Sequence, residues 1–210
     1  MAKQTIISIS REFGSAGHEI AEIIARDMGL NFYDRSMLDE IANKLNVKVE
    51  VLEKYDEAPR NFLMTRRVGS HTNSMAEILA EYQFDFIRDK AASGESFVIV
   101  GRCSETVLKN YECLISIFIN GDKEHKLARV KEKYQLSEPE AIAKMLRHDK
   151  KRKMYHNRHS DYKWGDSRFY DLCINSSPLG VERTAEVLKS YITERMEASN
   201  AQTPLQAKGN

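Results

Sequence analysis

Cysteine, proline and tryptophan are scarce: the chain has three Cys, four Pro and one Trp among 210 residues. Cys103, Cys113 and Cys173 show neither metal-like nor redox-like spacing, which excludes a zinc module and a disulfide framework. They read as small buried hydrophobes in a reducing cytoplasm. No apolar run is long enough to cross a bilayer. Met1-Ala2-Lys3-Gln4-Thr5 leads straight into the first apolar run, so no signal peptide is expected. An excess of charge of one sign is missing as well, with 32 Lys and Arg against 31 Asp and Glu. That excludes a global pull toward nucleic acid or acidic membrane, so any anion site must arise from local clustering. There is no internal repeat and no linker that would split the chain.

The length suits one α/β domain with a sizeable core, or one core plus a mobile insert. Its organising stretch is Ile6-Ile7-Ser8-Ile9-Ser10-Arg11-Glu12-Phe13-Gly14-Ser15-Ala16-Gly17-His18-Glu19-Ile20-Ala21. A β-branched apolar run predicts a buried strand, and Gly14 and Gly17 predict a turn. Ile20, Ile23 and Ile24 then recur at helical spacing. Strand, glycine turn and helix is the layout of a phosphate-binding loop, whose backbone N–H groups and helix N-terminus face an anion. The pattern G-x-x-x-x-G-K-[ST] is incomplete: Glu12 stands at the first glycine, His18 at the lysine and Glu19 at the hydroxyl. On these residues alone, an ordinary strand-to-helix turn accounts for the stretch as well.

Met28-Gly29-Leu30 stops the first helix. Asn31 to Asp34 predicts a short strand and Arg35 to Leu45 a helix, which implies a parallel sheet with right-handed crossovers. Asp34 and Arg35 fall at that strand's carboxyl end, where open parallel sheets bind ligands. A short helix is expected over Val47 to Tyr55. An irregular flap with Arg60, Arg66, Arg67 and His71 follows, its charges read as a solvated surface. A helix is expected over Ser74 to Ala92, with Met75, Ile78, Leu79, Tyr82, Phe86 and Ile87 on one side. Ser96 to Val100 shows no alternation, so both faces of that strand should be buried. It delivers Arg102 next to Gly101, in position to touch a ligand. Cys113 to Ile119 and Phe169 to Asn175 predict the remaining strands, and Asp122 to Tyr134 a helix. Glu138 to His159 predicts a cationic helix carrying Lys144, Arg147, Lys150, Lys151, Arg152, Lys153 and Arg158. Nucleic acid could use it, or a polyphosphate beneath a closing lid. Val181 to Met196 should close the fold with Val187, Leu188, Tyr191 and Ile192 inward. Residues 198–210 are expected to be a disordered tail.

This order resembles the P-loop kinases of small metabolites, and most of all the cytidylate kinase-like family. The resemblance rests on Ser10-Arg11-Glu12-Phe13-Gly14-Ser15-Ala16-Gly17, Phe32-Tyr33-Asp34-Arg35, Val98-Ile99-Val100-Gly101-Arg102, Asp149-Lys150-Lys151-Arg152, Trp164-Gly165-Asp166 and Tyr170 to Ser176. It implies a three-layer α/β sandwich around a five-stranded parallel sheet with a helical lid insert. It also implies one domain over residues 1–197, an acceptor-binding helical region at about 35–93 and a lid at about 138–168. ATP and Mg²⁺ would be the cofactors and CMP or dCMP the acceptor. Arg11, Gly14, Ser15, Ala16, Gly17, His18, Glu19 and Asn175 would hold ATP, with Glu19 as a candidate metal ligand. Asp34, Arg35 and Arg102 would hold the acceptor. Arg102, Lys150, Arg152 and Arg147 would stabilise the transferring group. The expected partners are small nucleotides in the cytoplasm, not nucleic acid or membrane, with monomer and homodimer both open. Two alternatives remain: a kinase of another small metabolite, and a non-catalytic nucleotide-binding regulator with a degenerate loop.

Overall fold

The computed structural model describes residues 4–56, 67–68, 71–72 and 74–201. Arg60, Arg66 and most of the expected tail lie outside the described residues. The elements in chain order are β1 (Ile6–Arg11), α1 (Gly17–Met28), β2 (Asn31–Tyr33), α2 (Met37–Leu45), α3 (Val49–Glu53), β3 (Arg67–Val68) and β4 (His71–Thr72). They continue with α4 (Met75–Ala92), β5 (Phe97–Val100), α5 (Ser104–Val107), β6 (Leu114–Asn120), α6 (Lys123–Tyr134), α7 (Glu138–His159), β7 (Leu172–Asn175) and α8 (Gly180–Ala201).

Five strands form one parallel sheet in the order β2-β5-β1-β6-β7, and β3 and β4 form a separate short antiparallel pair. The first strand is therefore central, with Ile6 opposite both Phe97 and Leu114. Apolar residues cover both faces, as a parallel sheet buried between helices requires. On one face Ile7 and Ile9 pack with Ile20 and Ile24 of α1 and with Leu188 and Ile192 of α8. On the other, Ile6, Phe97 and Ile99 pack with Leu38 and Ile41 of α2 and with Leu79 and Ile87 of α4. The result is a three-layer α/β sandwich.

Several elements depart from the sequence reading. The last strand starts at Leu172 instead of Phe169, because Asp166 accepts a hydrogen bond from Arg168 N at 3.2 Å and winds Ser167–Phe169 into a 3₁₀ turn. The last helix runs on to Ala201 rather than ending near Met196, since 194–198 are good helix formers and no glycine or proline intervenes. Helix α4 buries Leu79, Gln83, Phe84, Ile87 and Ala91, whereas Met75 and Tyr82 are exposed, because its apolar residues occur nearly all round. Val187 is exposed too. Of the three thiols only Cys103 is buried; Cys113 is half-buried and Cys173 is exposed.

Parallel pairing brings the carboxyl ends of β1, β2, β5, β6 and β7 to one edge. Glu12, Asp34, Gly101, Gly121 and Ser176 all follow directly from that edge.

Candidate functional site

The turn after β1 is built to leave backbone donors open. Gly14 has φ +89° and Ala16 φ +60°, so the chain turns through left-handed backbone at both. A Cβ on Gly17 would lie 2.6 Å from Arg11 Cβ, so only glycine allows the loop to fold back on the strand end. The Ser15 carbonyl accepts from Ser176 Oγ at 2.7 Å, tying the loop to the end of β7. Ala16 caps α1 without a side-chain hydrogen bond, which leaves the first-turn N–H groups for another acceptor.

A cleft of about 240 Å³ opens on this loop. Arg11, Arg129, Lys133 and Arg152 line it together with Phe13, Gly14, Gly17, His18 and Glu19. Arg129 and Lys133, with Lys126, occupy one face of α6 at spacings of three and four. The sequence reading passed over them, although that spacing was visible. Lys126 holds Glu12 at 2.6 Å. Arg129 and Lys133 both hold Glu19, the latter at 3.0 Å. Burial pushes the Glu19 carboxyl up, but the two cations outweigh it and hold it below its ordinary value. The candidate metal ligand is thus committed to α6: both its oxygens are taken. Among the described residues there is no group of three or more His, Cys, Asp or Glu that could hold a metal. A dedicated Mg²⁺ cage does not fit these residues. The open N–H groups of the turn, with Arg11, Arg129, Lys133 and Arg152 around the cleft, do fit a polyphosphate.

Beside the loop, His18 Nε2 lies 2.8 Å from Asp34 Oδ2. The Ser36 N–H donates to the other oxygen at 2.8 Å. These bonds, His18 first, hold the Asp34 carboxyl well below the usual range. Gly101, Arg102 and Cys103 have φ of +80°, +61° and +53°, three left-handed residues in succession at the end of β5. Such backbone is costly for residues with a Cβ and concentrates at functional sites. Glycine is needed at 101 because Arg11 Nη1 lies 2.5 Å from where a Cβ would stand. Arg102 is only 6 % exposed and forms a two-pronged pair with Asp56, at 2.5 and 2.9 Å. Asp56 carries no motif, and the sequence reading missed it. Arg35 approaches the same carboxylate at 3.6 Å.

Helix α7 docks onto this assembly through one face. Asp149 Oδ1 accepts from Phe13 N at 2.7 Å, and Arg152 Nη1 donates to the Arg11 carbonyl at 3.2 Å. Lys151 Nζ donates to the Asp56 carbonyl at 3.0 Å. His148 stacks on Phe13 with centroids 4.3 Å apart. Burial, followed by the surrounding arginines and lysines, pushes its imidazole down to about 4. About two turns further on, His156 and Glu105 form a buried pair at 2.7 Å beneath Ser8 and Ser10.

Of the residues singled out by the sequence, Arg11, Gly14 to Glu19, Asp34, Arg35, Arg102 and Arg152 gather at this sheet edge. Arg147 and Lys150 are exposed instead, because α7 turns positions 148, 149, 151 and 152 inward. Asn175 sits at the same edge, but its amide is used internally, donating to Asp122 Oδ1 at 2.8 Å and accepting from Ser177 N at 3.0 Å.

Residues 6–178 match the model of the cytidylate kinase-like family. A solved structure of an uncharacterized protein from Eubacterium ventriosum is 37 % identical, covers 90 % of this chain and 99 % of its own, and superposes with a TM-score of 0.73. Shikimate kinase from Bacteroides thetaiotaomicron shares the fold at 13 % identity and TM-score 0.53, over 92 % of this chain and 98 % of its own. No curated protein sequence matches significantly. With the family's model matched over most of its length, the chain belongs to the cytidylate kinase-like family.

Proposed function

We propose that the protein transfers a phosphoryl group from ATP to a small nucleotide, with CMP or dCMP the first candidates. Membership of a kinase-like family supports a phosphotransferase acting on a small molecule. The observation that carries the proposal is the meeting of the Gly14–Gly17 turn, Arg11 and Arg152 in one cleft, with Arg129 and Lys133 on its wall. In this reading residues 1–197 act as one domain, with the acceptor region at about 35–93 and the lid at about 138–168.

The donor phosphates lie on the turn from Gly14 to His18, facing the open N–H groups of α1. Arg129, Lys133 and Arg152 supply the positive charge that a loop lysine supplies elsewhere, which explains how His18 can be spent on Asp34. Any Mg²⁺ would have to come in with the nucleotide and neutralise its phosphates, since the described residues offer it no cage. Asp34, Arg35 and Arg102 face the acceptor; Asn175 lies near the donor base. Arg152 acts on the equatorial oxygens, where charge spreads during transfer, and no covalent or general-base residue is required. Arg147 and Lys150 contribute only if α7 swings further over the cleft.

A coupled assay of ADP release with ATP, Mg²⁺ and an acceptor panel tests this. Turnover with CMP or dCMP is expected. Turnover only with a different small metabolite would overturn the acceptor assignment. The engagement of Glu19 and His18 by protein partners favours a second reading, a nucleotide-binding regulator. That reading predicts ATP binding with no ADP release for any acceptor.

A further inference from the structure

Three side chains from separate parts of the chain converge on the Asp56 carboxylate, and a fourth holds its backbone carbonyl. Arg102, after β5, grips Asp56 with both terminal nitrogens at 2.5 and 2.9 Å. Gln83 Nε2 of α4 donates to Asp56 Oδ1 at 3.1 Å. Arg35 Nε, after β2, stands 3.6 Å from Oδ2. Lys151 of α7 holds the backbone carbonyl of the same residue. The side chains of Arg102 and Asp56 are 6 % and 9 % exposed, so the pair is largely dry.

Two arginines and an amide arranged around one point, at the carboxyl ends of two neighbouring strands, describe a cradle for an anion. A guanidinium fork recognises carboxylate and phosphate with the same geometry. While Asp56 fills the fork, Arg102 and Asp56 together are electrically neutral, and the carboxylate repels any second anion. We propose that Asp56 is a stand-in for the acceptor's anionic group. Its carboxylate occupies the Arg102 fork in the free protein, and a phosphate or carboxylate on the acceptor enters by taking its place. Asp56 thereby sets which acceptors bind: only an anion that outcompetes a tethered carboxylate gains Arg102. This rests on the acceptor site proposed above. It extends that reading by coupling the exchange to α7, because Lys151 holds the backbone of the residue that yields.

The test uses the full chain with ¹⁵N-labelled arginine, following the Arg102 side-chain signal, assigned with Arg102→Lys, during titration with inorganic phosphate. AMP-PNP and Mg²⁺ are present throughout to occupy the loop. Asp56→Asn should lower the phosphate concentration for half-saturation about tenfold relative to the unsubstituted chain. Gln83→Leu loosens the carboxylate without stranding a buried charge, and should lower it about threefold. It decides the matter if Asp56→Asn does not fold. Equal or weaker phosphate binding in the folded variants would overturn the proposal. So would an Arg102 signal that phosphate never moves. ADP release by the unsubstituted chain is read separately, so loss of the kinase reading would not be confused with loss of this one.

Discussion

Arg152 Nη1 donates to the backbone carbonyl of Arg11 at 3.2 Å, joining the middle of α7 to the end of the central strand. The contact sets a guanidinium against the loop proposed above to take the donor phosphates. Arg152→Ala should therefore lower kcat by about a hundredfold or more, the usual loss when one charge-stabilising donor is removed. The Tm should change little. Steady-state kinetics and a thermal melt on the same sample check this; an unchanged kcat would remove Arg152 from the mechanism.

Glu19 and Lys133 make opposite predictions for nucleotide affinity. Lys133→Ala should weaken AMP-PNP binding about tenfold, the scale of one charge-assisted hydrogen bond. Glu19→Gln releases two cations toward the cleft and should tighten binding severalfold, with or without Mg²⁺. Isothermal titration separates this from a metal-ligand role, in which Glu19→Gln would weaken binding only when Mg²⁺ is present.

Ala16 holds φ +60° where Cβ crowds the following carbonyl. Left-handed backbone costs an L-residue about 1–2 kcal/mol, and glycine's greater freedom in the unfolded chain takes part of that back. Ala16→Gly should stabilise the protein by roughly 0.5–1 kcal/mol in urea unfolding. A destabilised variant would show that the methyl group is packed to advantage.

Stability should fall on acidification through the histidine range. His148 and His159 are both pushed down from 6.5 to about 4, by burial first and then by neighbouring positive charge. The folded state therefore favours the neutral rings, and between pH about 6.5 and about 4 the unfolded chain binds these protons first. Their contribution is complete above 6.5 and is lost as pH falls toward 4. The Asp34 carboxyl, held low by His18, keeps its contribution until the pH is lower still. A Tm series from pH 7 to 5 should decline, and His148→Phe should shallow the decline. A flat series would contradict the preference of these half-buried rings for the neutral form.

The sheet was legible because Ile6–Ser10, Phe97–Val100 and Leu114–Ile119 are apolar runs interrupted by nothing larger than serine, a signal that local sequence carries by itself. The loop was legible from Gly14 and Gly17. What could not be read was pairing at long range. Asp56 meets Arg102 across 46 positions and Arg129 meets Glu19 across 110; the helical spacing of Lys126, Arg129 and Lys133 shows a cationic face, but nothing local says which acids it meets. The cations of α7 were seen, but not which way they face. Exposed Arg147 and Lys150 differ from the docked Lys151 and Arg152 only by their angle around the helix. At β7 the Asp166 carboxylate, accepting from Arg168 N and its guanidinium, overrode a run that read as strand.

The most direct measurement is a crystal structure with AMP-PNP and Mg²⁺. The account predicts β- and γ-phosphates over the Gly14–Gly17 turn, within hydrogen-bond reach of the first-turn N–H groups of α1 and of Arg152, with Arg129 or Lys133 turned toward them. Nucleotide bound away from this turn, or no binding at millimolar concentration, would contradict it.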